Sequence, residues 1–63
     1  MTEAAGPGPT IRTLVVDDHA MVAESLRRAL DREPDLEVVG VVGSEDDAVR
    51  AARATRPDVV AMD

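Results

Sequence analysis

The chain contains no phenylalanine, tyrosine or tryptophan, no cysteine and no lysine. Without aromatics it lacks the side chains that bury most area each, so a core must be assembled from small aliphatic residues. Without cysteine, neither disulfides nor thiolate metal sites can compensate for that small core. All seven basic residues are arginine, set against thirteen acids for a formal net charge of −6. That balance excludes the basic stripe of a nucleic-acid-binding segment and disfavours an anionic membrane surface. No apolar run approaches the length of a membrane span, and the N-terminal residues lack the basic-then-apolar order of a signal peptide. A cytoplasmic location is the expectation.

Sixty-three residues, 44% of them hydrophobic, suit one small domain and not a disordered chain. A domain of this size buries only about 60% of its unfolded surface, so independent stability is expected to be marginal. Residues 1–10, with Gly6-Pro7-Gly8-Pro9, read as a disordered leader, because proline lacks a donor and glycine resists fixing. Those glycines precede the first apolar run instead of following it, so they form no dinucleotide-binding fingerprint.

Two apolar runs that end in aspartate carry most of the functional information. Leu14-Val15-Val16 leads into Asp17-Asp18, and Val59-Val60-Ala61-Met62 leads into Asp63. Continuous β-branched runs are the mark of buried parallel strands. The pattern predicts a strand over Ile11–Val16 and then a helix capped by Asp18. An apolar stripe on that helix falls at Val22, Leu26, Ala29 and Leu30, with Glu24, Arg27, Arg28 and Asp31 mostly off it. Pro34 ends the helix, and Leu36 to Val41 follows as a second strand, with Val42-Gly43 leading out. Ser44 and Asp47 resemble a capping box that opens a second helix reaching about Thr55. Pro57 stops it before a third strand, Val59 to Met62. Met21 and Met62 are expected to pack.

This βαβαβ order forces parallel pairing with right-handed crossovers, the first half of a doubly wound α/β sheet in strand order 2-1-3. Ligands of such sheets bind beyond the carboxyl ends of the strands. Asp17, Asp18 and Asp63 would meet there, a set of hard oxygen ligands suited to Mg²⁺ and phosphate chemistry. A plainer account is available for each residue. Asp17-Asp18 could be a cap and its neighbour, Asp63 a surface residue, and His19 a solvated imidazole at a helix start. The Glu45-Asp46-Asp47 run is explained by the dipole of the helix it opens.

Taken in order, Leu14-Val15-Val16-Asp17-Asp18-His19, Glu33-Pro34-Asp35-Leu36-Glu37-Val38-Val39-Gly40 and Arg56-Pro57-Asp58-Val59-Val60-Ala61-Met62-Asp63 resemble the receiver domain of two-component response regulators. The Asp-Asp-His start and the Glu-Pro-Asp-Leu-Glu-Val-Val-Gly segment are most similar to the LuxR/NarL-type subfamily, whose receiver precedes a DNA-binding helix-turn-helix. The resemblance covers residues 11–63 and implies a partial receiver (response regulatory) domain with a flavodoxin-like (CheY-like) fold, truncated after strand three. It implies that Asp63 is the phosphoacceptor for a histidine kinase and that Asp17, Asp18 and Asp63 surround Mg²⁺. Asp18 would bind the ion directly and Asp17 partly through water. Such a chain is a phosphorelay switch and not an enzyme, any phosphotransfer being Mg²⁺-dependent autophosphorylation.

The family's Mg²⁺-binding carbonyl two residues past the phosphoacceptor, its hydroxyl residue after strand four and its lysine after strand five have no counterpart among these residues. Contact with DNA would need an output domain outside them. An unpaired edge on the third strand invites a homo-oligomer. The competing expectation is a non-phosphorylatable fragment that only docks or has no function. A haloacid-dehalogenase-type phosphatase needs an acid where His19 stands, and a P-loop needs a glycine-rich loop with lysine. A flavin binder would want an aromatic residue to stack on the ring.

Overall fold

Ile11–Val16 forms the first strand, β1, and every residue from Thr13 to Val16 is buried. Its apolar run lacks the polar alternation of a half-exposed strand because β1 lies at the centre of the sheet. The structure, a computed structural model, describes residues 10–62. Residues 1–9 of the expected leader, and Asp63, lie outside the described residues.

Helix α1 spans Ala20–Asp31, strand β2 Leu36–Val42, helix α2 Glu45–Thr55 and strand β3 Val59–Met62. The sheet order is β2-β1-β3 with both pairings parallel, the doubly wound order that the sequence predicts. Strand β2 runs one residue beyond its expected end. Val42 pairs with Val16, and its carbonyl accepts the Asp17 N–H at 3.0 Å.

Leu14 and Val16 form one cluster with Ala48 of α2, joined by Val39, Val42, Ala51 and Ala52. The opposite face, bearing the buried Thr13 and Val15, is covered by α1, which packs on β2 and β1. A bulge interrupts the β1–β2 ladder. Thr13 pairs with Val38 but Leu14 with Gly40, leaving Val39 as the extra residue. In an unbroken strand Val39 and Val42 would point to opposite faces, and the extra residue lets both reach the same cluster. Gly40 accommodates this because a Cβ there would stand 3.1 Å from Leu14 Cδ1.

The α2–β3 connection is tied back to β1. The Arg12 guanidinium donates to the Thr55 carbonyl and, at 3.5 Å, to that of Arg56, so a cation caps the helix C-terminus. The Arg12 N–H donates to Asp58 Oδ2 at 2.9 Å, and the Asp58 N–H returns a bond to the Arg12 carbonyl at 2.7 Å. Arg56 adopts the left-handed conformation (φ 49°, ψ 63°) that ends α2 ahead of Pro57. These ties set the register that pairs Thr13 with Val59 and Val16 with Met62.

Several sequence expectations are corrected. The α1 cap is His19 and not Asp18, which lies one residue too early and makes no bond to the helix N-terminus. The residue of α1 pressed into the sheet is Ala23, with Leu26 and Leu30 half-buried beside it, whereas Val22 is 53% exposed and Ala29 is exposed. Ala23, Leu26 and Leu30 form an i, i+3, i+7 line, and the small alanine lets the helix approach closely. Met21 and Met62 are exposed and do not pack. Only half of the capping box forms. Ser44 Oγ accepts the Asp47 N–H at 3.1 Å, while the Asp47 carboxylate takes Arg50 at 2.7 Å. Strand β3 reads as buried, yet Val59, Val60 and Met62 are exposed, because both helices lie over β1 and β2 and β3 is an edge.

Candidate functional site

Because β1 is central and parallel to both neighbours, its carboxyl end is the point where the chain turns into α1 and the sheet edge opens. Asp17 follows directly, with its N–H still in the ladder and its side chain only 3% exposed. Asp18, on the bend that leaves the sheet, has a side chain 76% exposed. A cleft of about 210 Å³ is lined by Val16, Asp17 and Asp18 from β1 and its end, Gly43, Ser44 and Glu45 from the start of α2, and Met62 from β3. This is the crevice beyond the strand ends where the sequence places the site. Asp17 and Asp18 stand in it, and Asp63 lies outside the described residues.

Asp17 Oδ1 accepts the His19 N–H at 2.8 Å and meets His19 Nδ1 at 3.0 Å. His19 Nδ1 is also 2.9 Å from Asp18 Oδ1. A carboxylate can only accept, so in this arrangement Nδ1 carries the proton and bridges the two acids. His19 is therefore engaged with both acids, more than the solvated imidazole expected from sequence. Its adjacency to two acids was visible there, but the turn that folds the ring back over them was not. The His19 backbone N–H, and after it the imidazole, hold the Asp17 carboxyl below its ordinary range, against the opposing effect of partial burial. Asp17 is thus an anion at neutral pH.

Oxygen and nitrogen ligand atoms from Asp17, Asp18 and His19 all lie within 4.8 Å of one another. Among the described residues no hydrogen bond reaches Asp17 Oδ2, a buried oxygen that lacks a protein donor. A buried carboxylate oxygen left this way normally has an ion or water as partner. The donor set and that oxygen fit a divalent cation. Asp17 and Asp18 would hold it, and when bound it would neutralise clustered negative charge and draw in phosphoryl oxygens.

Over 53 residues the chain is 51% identical to a protein-glutamate methylesterase/protein-glutamine glutaminase of Myxococcus xanthus, covering 84% of this chain and 15% of that protein. It is 43% identical to the transcriptional regulatory protein LiaR of Bacillus subtilis and 45% identical to the response regulator GacA of Pseudomonas viridiflava. Each of these matches covers 84% of this chain and 25% of the relative. The chain belongs to the CheY-like receiver-domain family.

It spans between 15% and 25% of the length of these curated relatives. No protein-family model and no solved structure matches the chain. The relatives of this receiver segment bear names of different output activities, a methylesterase and a transcriptional regulator, so the similarity does not extend to one subfamily. Among the described residues no helix is long and apolar enough to cross a membrane.

Proposed function

We propose that this receiver segment works in phosphorelay signalling as part of a transcriptional response regulator of the LuxR/NarL type, with Asp63 as phosphoacceptor. The observation that carries the reading is the parallel register of β1 and β3. Val16 pairs with Met62, so the two strands end level, and the residues that follow them in sequence are Asp17 and Asp63. The buried, ionised Asp17 and the exposed Asp18 supply the oxygen ligands for Mg²⁺. The reaction is attack of an Asp63 carboxylate oxygen on phosphorus. The phosphorus–nitrogen bond of a histidine kinase's phosphohistidine breaks as the acyl phosphate forms. Phosphoryl transfer asks mainly for positioning and charge neutralisation, which one nucleophile and two ligand-bearing carboxylates can begin to provide.

The domain reading is a leader over residues 1–10 and a receiver over 11–63, in a cytoplasmic protein. The partner is a histidine kinase, and contact with DNA is made through an output domain outside these residues. The test is incubation of the chain with a small acyl phosphate and Mg²⁺, read by intact mass. The expected result is one phosphoryl group on Asp63, abolished in Asp63→Asn, with Asp18→Ala needing more Mg²⁺. A chain that stays unlabelled, or an Asp63→Asn variant that labels equally, refutes the assignment.

A further inference from the structure

The receiver site as proposed uses only oxygen ligands, yet the structure folds a nitrogen into the same cluster. We infer that His19 Nδ1 is a further protein ligand of the divalent ion, which shifts the site's preference from Mg²⁺ toward Mn²⁺, Co²⁺ and Ni²⁺. This rests on the reading of Asp17 and Asp18 as the cation ligands.

The geometry carries the argument. His19 Nδ1 stands 3.0 Å from Asp17 Oδ1 and 2.9 Å from Asp18 Oδ1. Adjacent ligands about 2.1 Å from a six-coordinate ion lie about 3.0 Å apart, so both nitrogen–oxygen separations suit neighbouring positions around one ion, and all three ligand atoms lie within 4.8 Å of one another. The ion would take the place of the Nδ1 proton, with the ring's remaining proton on Nε2.

Two further features point the same way. The His19 backbone N–H is fixed to Asp17 Oδ1 at 2.8 Å, so the residue that carries the ring is anchored beside the buried carboxylate. Asp17 Oδ2, buried and without a protein donor among the described residues, remains available to the ion. Imidazole nitrogen suits first-row transition ions better than Mg²⁺, with affinity rising from Mn²⁺ through Co²⁺ to Ni²⁺. At 67% exposure the ring can be removed without touching the core.

The test is titration of the full chain with Mn²⁺, followed by pulsed electron paramagnetic resonance of the bound ion. Expected is a directly coordinated nitrogen coupling in the native chain that vanishes in His19→Ala. In the same variant Co²⁺ affinity, measured by calorimetry, falls about tenfold or more while Mg²⁺ affinity changes by a much smaller factor. Bound Mn²⁺ without nitrogen coupling overturns the role of His19 and leaves the Asp17–Asp18 site standing. Failure of the native chain to bind Mn²⁺ overturns both.

Discussion

Leu14→Ala is the substitution that most directly tests how β1 is held in place. Leu14 is fully buried, packs with Val16 and Ala48, and fills the space that the missing Cβ of Gly40 leaves open. Truncating a buried leucine costs ~2–5 kcal/mol, depending on how much of the void stays sealed. Here Leu14 also lines an apolar groove of about 410 Å³ bounded by Ala48, Val49, Ala52, Val60 and Met62. The vacated space merges with that open groove instead of becoming a closed cavity. The loss should therefore fall in the lower half of the range, about 2–3 kcal/mol.

A chain of this length has a total stability of only about 3–9 kcal/mol, so that loss is a large share of it. With a urea dependence of about 1 kcal/mol per molar, the unfolding midpoint should drop by ~2–3 M. The helical circular-dichroism signal is the assay, since no aromatic residue supplies fluorescence. Val22→Ala, at a 53% exposed position of α1, is the control and should cost less than ~0.5 kcal/mol. Equal midpoint shifts for the two variants would refute the packing argument.

Ser44→Ala removes the side-chain acceptor of the Asp47 N–H and should lower stability by about 1 kcal/mol, whereas Ser44→Gly should cost only a few tenths. Both are read from the same urea midpoint. Glu24 is held below its ordinary value by Arg27 and then Arg28, and Asp47 by Arg50 and then Ser44. A carboxyl whose folded pKa is depressed contributes stability above its unfolded value and loses it as pH falls through the folded one. The urea midpoint should therefore hold steady from pH 7 to about 5 and decline below about 4.5, with a shallower decline in Glu24→Gln. Met62→Lys places a charge on the exposed edge strand β3 and should shift any self-association seen by sedimentation toward monomer. An unchanged mass distribution would mean that the β3 edge is not the contact.

The order of elements was legible because its signals are local. The β-branched run of β1, the prolines at 34 and 57, and the serine ahead of three acids at 44 each act within a few residues. Their spacing leaves parallel pairing as the only economical topology. The position of Asp17 and Asp18 at the open end of the sheet was legible for the same reason, since they follow a strand that reads as central. The misread face of α1 and the exposure of β3 depended on neighbours distant in sequence, whereas the α1 cap and the capping box were misread over one to three residues. The face of α1 turned to the sheet is chosen by how closely Ala23 can approach, and the periodicity of Val22 and Leu26 cannot register that distance. The apparent burial of β3 was undone by its place at an edge, where both helices lie over other strands.

Sequence alone determined the strand and helix order, the parallel sheet and the acidic crevice, because hydrophobic period, helix stops and caps are properties of short segments. Tertiary structure alone decided two things, the bulge that brings Val39 and Val42 to one side and the Arg12–Asp58 tie that levels β1 with β3. Each depends on a distance between atoms set by packing and register, and a linear pattern of residue types does not contain such a distance.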